Sequence, residues 1–258
     1  MCHQIPEYYL SLCFSHREKK KRESDLTERD KLMSSWGYKF EQYMTSGKED
    51  EPPDLIAPIN EKEEYCSVLR TRLNRHSLVY GAEVDGLDSV SQKSDKSCKC
   101  SSLQHFVELK TSRKISHPKQ ERNFFRYKLL KWWAQSFLAG IPRVICGFRN
   151  DNGIVEKLQT FSLKDISQKG RDLWSPAACM NFCDDFLSFV QKNVTIDDPH
   201  VVYKLEWQPH QDIKLYLLDK PEEFQILPEW YIKEMTTYDL DTSPDLLYTF
   251  PNFKNAKL

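Results

Sequence analysis

Residues 120–138, QERNFFRYKLLKWWAQSFL, restrict the fold more than any other stretch of the chain. Apolar side chains recur at steps of three and four through Phe125, Leu129, Trp132, Trp133 and Phe137, which marks one side of a helix. Lys128, Lys131 and Gln135 fall on another side at the same kind of step. Gly140 and Pro142 follow, the residues that stop a helix. Just beyond, Val144–Arg149 and Ile154–Phe161 flank Asn152-Gly153, the strongest short-range hairpin cue in the sequence. Strands are further expected over Leu78–Gly86 and Phe106–Thr111, a short helix over Glu64–Arg72, a helix over about Ala177–Asn193 and a second hairpin over about Val201–Leu218. Helices and strands therefore alternate without repeats, which predicts an α/β (α+β) fold with a mixed β-sheet flanked by helices in one domain.

Composition narrows the class. Hydrophobic residues make up 40% of 258 and charged residues 29%, so the chain has the apolar content for a core. A net charge of −1 argues against a bulk-electrostatic nucleic-acid binder, so any basic groove must be local. No apolar run approaches the ~18–20 residues of a membrane span. The polar-interrupted start argues against a secretory signal. With eight cysteines in a chain this long, reduced thiols fit better than a disulfide scaffold. Cys98-Lys99-Cys100 lacks the second ligand pair of a zinc site. Three regions are expected: a charged segment 1–35, a folded domain 36–239 and a loose tail 240–258. The run Lys19-Lys20-Lys21-Arg22 fits either a solvated helix or a nuclear import signal. Glu49–Asn60 and Asp88–Ser102 read as loops.

Chemistry concentrates in three short clusters. Glu83-Val84-Asp85 ends one expected strand, Glu108-Leu109-Lys110 lies in another, and Glu41 closes Gly37-Tyr38-Lys39-Phe40-Glu41 on an expected helix. The two-residue period of a strand puts Glu83 and Asp85 on one face, and likewise Glu108 and Lys110. If the strands pair, three carboxylates and one ammonium meet while Val84 and Leu109 point into the core. Two like charges at about 4 Å repel by ~4 kcal/mol at an effective dielectric of 20, so such a group needs protons or hard cations. All-oxygen ligands favour magnesium or manganese over zinc. Two ions about 3.5–4 Å apart suit metal-dependent phosphodiester cleavage, with the lysine stabilising charge on a phosphate. Alternating charge on a strand also suits a plain solvated face, and spacing alone leaves both readings open. The seven histidines show no spacing that marks nucleophilic catalysis. Trp132-Trp133 suits core packing better than base stacking, and eight glycines offer no phosphate loop.

The blocks WGYKFEQYM, YCSVLRTRL, AEVDG, FVELKTS, YKLLKWWAQSFLAGIP, GFRN and MNFC resemble, in order, those of the decapping exoribonuclease (DXO) family from about Trp36 to Met235. The resemblance implies a PD-(D/E)xK nuclease-like core. It implies hydrolysis of faulty or non-standard RNA 5′ ends: decapping, removal of nicotinamide-dinucleotide (NAD) caps, release of pyrophosphate from 5′-triphosphates, and 5′-to-3′ exonuclease action. It assigns metal binding to Glu41, Glu83, Asp85 and Glu108, with the backbone carbonyl of Leu109. Lys110 and Gln135 would contact the scissile phosphate or position water, Glu83 would lie near substrate, and Cys66 matches a substrate-contacting position. Read without the resemblance, Cys66 is a core thiol. Only 36 residues precede Gly37, with no counterpart to the family's upstream arginine motif, so an N-terminally truncated or short form is expected.

The reading that follows is a Mg2+- or Mn2+-dependent hydrolase using two ions on RNA 5′ ends, expected in the nucleus with the cytoplasm as a second location, and with Glu83, Asp85, Glu108 and Lys110 as catalytic residues. The alternative is a catalytically impaired RNA-end-binding or regulatory protein that keeps the metal cluster. A DNA nuclease on the same core is a third reading, and preference for RNA does not follow from these residues.

Overall fold

The computed structural model describes residues 25–48, 51–61, 63–88, 105–208, 210–219, 224–225 and 227–237. The lysine run 19–22, the Cys98–Cys100 pair and the tail 240–258 lie outside the described residues. The chain divides into two compact units, one within residues 19–190 and one that includes the chain from Gln191 onward.

In the larger unit, helix α1 (Glu28–Met44) begins at a capping box. The Thr27 hydroxyl accepts from the Asp30 N–H at 3.2 Å, and the Asp30 carboxylate accepts from the Thr27 N–H at 3.1 Å. Strands β1 (Cys66–Leu73) and β2 (His76–Glu83) form an antiparallel hairpin. The helix expected over Glu64–Arg72 is therefore a strand. Asn74, at φ 48°, takes the left-handed conformation of a tight turn, and Leu73 then pairs with His76. That pairing puts Leu69 and Leu73 on the half-buried side and Val68 and Arg70 outward, a period of two that short helical spacing mimics.

A four-stranded sheet follows in the order β3 (Gly86–Leu87), β4 (Phe106–Arg113), β5 (Arg143–Arg149) and β6 (Val155–Ser162). β4 and β5 are parallel, and the other pairs are antiparallel. β5 and β6 form the hairpin expected around Asn152-Gly153. The Asn150 side chain accepts from the N–H groups of Asn152 and Ile154, and Gly153 sits at φ 84° with Trp36 packed against its Cα.

The long helical run lies across one face of this sheet. It comprises α2 (Pro118–Asn123), a π-helical turn (Phe124–Leu129) and α3 (Leu130–Ala139), ending at Gly140 with φ 69°. The extra residue in the π turn makes the buried step Phe124 to Leu129, five residues, before α-helical spacing resumes at Trp132, Trp133 and Ser136. Phe124 thus replaces Phe125 as the buried aromatic, and Phe137 is exposed. The Phe125 carbonyl accepts from the Trp174 indole at 3.0 Å. Trp132 and Trp133 are buried with Val144, Cys146, Phe148, Phe161 and Ile166, so they are core residues. Ile166 comes from α4 (Leu163–Gly170), capped by Ser162 and Asp165, and α5 (Pro176–Asn193) follows. The opposite face of the sheet carries Val107 and Leu109 under Phe40 of α1. The sheet is thus covered on both faces.

The second unit contains the hairpin β7 (Tyr203–Glu206) and β8 (Lys214–Leu217), as expected, and helix α6 (Glu229–Thr237), which buries Ile232.

Ser136 is fully buried in α3, and its hydroxyl has no hydrogen-bond partner among the described residues. Ser136→Ala removes an unsatisfied polar group, so unfolding in urea should show stability raised by about 1 kcal/mol. A lowered midpoint would mean the hydroxyl is bonded after all.

Candidate active site

The charged cluster forms because β4 carries two kinds of side chain on one face. Glu108, Lys110 and Ser112 point to the same side at a period of two, and their partners on β5 are Val144, Cys146 and Phe148. Those partners belong to the apolar core beneath the long helix. The polar file on β4 is therefore the border of that core, and Glu108 and Ser112 are buried there at 5% and 3% exposure.

Asp85 arrives from the other side. The sequence pattern paired the Glu83 strand with the Glu108 strand, but β2 pairs with β1, and only the two-residue β3 joins β4, at Val107 and Phe106. Asp85 lies between β2 and β3. Its carboxylate accepts from the Leu109 N–H at 2.6 Å, occupying the place a neighbouring strand would take. Because the N–H and C=O of one strand residue point the same way, the Leu109 carbonyl faces this edge too. The Leu109 side chain points into the core at 2% exposure, as the alternation requires.

Lys110 binds these carboxylates together. Its ammonium contacts Glu108 Oε1 directly and lies 3.7 Å from Asp85 Oδ2. Burial alone would lower the Lys110 pKa, but Asp85, Glu108 and Glu41 outweigh it and hold the ammonium above its ordinary value. Burial pushes Glu108 up, partly offset by Lys110. Glu41 enters from α1, one residue after Phe40, whose ring is packed over Gly147 of β5. Burial, then the charge of Asp85, push the Glu41 carboxyl to about 7. Glu83 adds to the field on both Glu41 and Glu108.

The structure thus brings Glu41, Asp85, Glu108 and Lys110 into one electrostatic group, with Glu83 exposed at the end of β2. Cys66 lies opposite Glu83 in the hairpin register and is exposed, not a core thiol. Gln135 is exposed on α3, and its side chain makes no hydrogen bond among the described residues. Tyr38 was missed. It stands one helical turn before Glu41, and burial with the charges of Glu61, Glu41, Glu64 and Glu83 raises its phenol pKa. The i, i+3 spacing to Glu41 was the available signal. Loop 51–61 is sewn to α1 by Lys39, which donates to the Leu55 carbonyl at 2.9 Å, and by Gln42, which donates to the Ala57 carbonyl at 3.0 Å.

Among the described residues, no three His, Cys, Asp or Glu side chains are arranged as a ready metal cage. Glu108 and Asp85 instead both lie within ion-pair distance of the Lys110 ammonium. The donor set still fits a hard divalent cation. It is all oxygen, burial and the charge of Asp85 push one of its carboxyls to about 7, and Lys110 already serves as its cationic stand-in.

A family profile described as RAI1 like PD-(D/E)XK nuclease matches residues 7–232. The chain belongs to the RAI1-like nuclease family. Glu108-Leu109-Lys110 has the Glu-x-Lys form in that designation. The Xenopus laevis decapping and exoribonuclease protein is 43% identical over 232 residues, 88% of this chain and 56% of that protein. The Homo sapiens protein of that name is 44% identical over 213 residues, 81% of this chain and 51% of its own length. The chain therefore spans about half the length of the curated relatives it matches. Among solved structures, S. pombe Rai1 in complex with 3′-FADP matches with TM-score 0.59 and 31% identity, covering 72% of this chain and 57% of that one. Candida albicans Rai1 in complex with pU5-Mn2+ shares the fold, with TM-score 0.65 and 24% identity over 85% of this chain and 62% of that one.

The raised Glu41 pKa fixes a sign. Between the ordinary 4.5 and about 7, the folded state keeps a proton that the unfolded state releases, so Glu41 costs stability as pH rises through that window. In urea unfolding, the stability of Glu41→Gln relative to wild type should climb from about pH 4.5 to about 7 and then level off. A difference independent of pH would mean the carboxyl is not perturbed.

Proposed function

We propose that the chain is a divalent-metal-dependent hydrolase of RNA 5′ ends, acting at faulty, triphosphate or nicotinamide-dinucleotide caps and then on the RNA body. The observation that carries this reading is the largely buried Glu108–Lys110–Asp85 group at the edge of β4 that Asp85 closes, with Glu41 beside it. Family membership supports it, as do relatives named for decapping and exoribonuclease action. S. pombe Rai1 was solved with 3′-FADP. Candida albicans Rai1, which shares the fold, was solved with pU5-Mn2+. The choice of magnesium or manganese for this chain rests on its own oxygen donors.

In this reading Glu41, Glu83, Asp85, Glu108 and the Leu109 carbonyl would hold the cations, two ions in all. Such ions supply Lewis-acid stabilisation of phosphate charge and a more acidic bound water. The chain's own groups do the rest. Lys110, with three donor hydrogens on a flexible stem, turns from Glu108 toward a phosphate oxygen and stabilises charge as it develops. Glu83, exposed at the rim, accepts a hydrogen bond from the water that attacks. Cys66, beside it in the hairpin, and Gln135, exposed on α3, contact the substrate. Tyr38 lines the acidic side.

The test is product release from 5′-triphosphate RNA and dinucleotide-capped RNA, with magnesium or manganese and with chelator. Glu108→Gln and Asp85→Asn, the latter keeping an acceptor for the Leu109 N–H, should each lower metal-dependent turnover roughly 10²–10³-fold while the circular dichroism spectrum is retained. Tight RNA binding by wild type with no metal-dependent product would replace this reading with an RNA-end-binding one.

A further inference from the structure

The strand that carries Lys110 continues past it, and what it meets there has no part in the chemistry just described. Ser112 is two residues further along β4, on the same face as Glu108 and Lys110. Its hydroxyl accepts a hydrogen bond from the Lys128 ammonium at 3.0 Å. Lys128 lies in the π-helical turn, a form of helix that recurs at functional sites.

The surroundings of that ammonium are unusual for a structural lysine. Among the described residues no carboxylate pairs with Lys128. The ionisable groups that act on it are the buried Cys146 thiol and the Arg149 guanidinium, a second cation. Burial, reinforced by Arg149, holds the Lys128 pKa below its ordinary value. Arg149 is itself stacked at 4.4 Å over the Trp36 ring, and its Nε is buried without a hydrogen-bond partner among the described residues. Lys128 is an exposed residue, and a surface lysine commonly turns its charge to water. Its ammonium bends instead to a neutral hydroxyl at the core border, beside another cation.

We infer that Lys128, positioned by Ser112, is a second phosphate subsite that binds the RNA backbone one step beyond the phosphate held at Lys110. Two residues of strand advance ~6.6–6.8 Å, a spacing comparable to that of neighbouring phosphates in an extended single strand. The anion would supply the counter-charge that Lys128 lacks, since the carboxylate nearest this pair of cations, Asp151, acts on Arg149 and is paired with Arg113. Gln135 follows Lys128 by seven residues, close to two helical turns, so the two project from the same side of the helical run. The inference rests on the reading of this site as one that handles RNA 5′ ends.

The experiment measures binding of 5′-phosphorylated oligouridylates of one, two, three and five nucleotides by fluorescence anisotropy, in chelator and over a range of sodium chloride. Wild type should gain affinity from one nucleotide to two or three. Lys128→Met should lose that gain, weakening the longer oligomers roughly tenfold and the single nucleotide least. Its salt slope should fall by about 0.7, the value for one phosphate of a single strand. Lys128→Gln, which keeps a donor for Ser112 without the charge, should show the same loss, whereas Lys128→Arg should keep the affinity. Ser112→Ala should weaken binding with an unaltered salt slope, since it frees the ammonium without removing it. Unchanged length dependence and salt slope in Lys128→Met and Lys128→Gln would overturn the subsite while leaving the end-hydrolase reading intact. Wild type that binds none of the phosphorylated oligomers would overturn both.

Discussion

Everything at this site follows from one ammonium among carboxylates. Lys110 sits between Glu108 and Asp85, with Glu41 close enough to feel both acids. Without that charge, nearly buried acids at the margin of a hydrophobic layer would repel one another and face the cost of desolvation unaided. With it, Asp85 can also close the edge of β4 by accepting from the Leu109 N–H. The electrostatic centre and the termination of the sheet are thus the same structural event. β3 stays two residues long because a carboxylate, not a longer strand, takes the next backbone donor.

Much of this was legible in the sequence because it depends on a period of two. Glu108-Leu109-Lys110 announces two charges on one face and one leucine in the core, and the strand delivers both. The Asn152-Gly153 hairpin and the Gly140 stop were equally local, each resting on a residue that tolerates a left-handed backbone. What depended on partners was not legible. Residues 64–72 carry apolar spacing that suits a short helix, and only pairing with 76–83 makes a strand of them. The same pairing takes Glu83 away from β4, so Asp85 and Glu83 enter from a hairpin junction and not from an adjacent strand. The π turn also escaped notice, since one inserted residue shifts the apolar stripe from Phe125 to Phe124 while leaving the composition unchanged.

Glu41 shows a third kind of dependence. Its sequence neighbours mark it only as the end of a helical segment, and it reaches the cluster because Phe40 packs against Gly147. A Cβ at Gly147 would lie 2.7 Å from the Phe40 ring, so the ring would have to shift. A residue on one strand with no side chain thus sets how closely α1 approaches the sheet, and so how strongly Glu41 feels Asp85. Burial and that proximity are what carry its carboxyl to about 7.

The raised Glu41 pKa, caused first by burial and then by Asp85, and the captive Lys110 both reduce the negative charge at this site. A proton on Glu41 and the ammonium on Glu108 and Asp85 each neutralise part of it, and any divalent cation that binds these oxygens competes with both. Were Glu41, Asp85 and Glu108 to hold such a cation, it would favour the ionised form of Glu41 and loosen the hold of Glu108 on Lys110. The lysine would then be free to meet a phosphate. A cluster of carboxylates alone would bind cations more directly, but it would offer no cationic side chain released by their arrival. The Glu-x-Lys spacing supplies both properties from one strand face, and for that reason a short and common pattern becomes informative once Asp85 and Glu41 are found beside it.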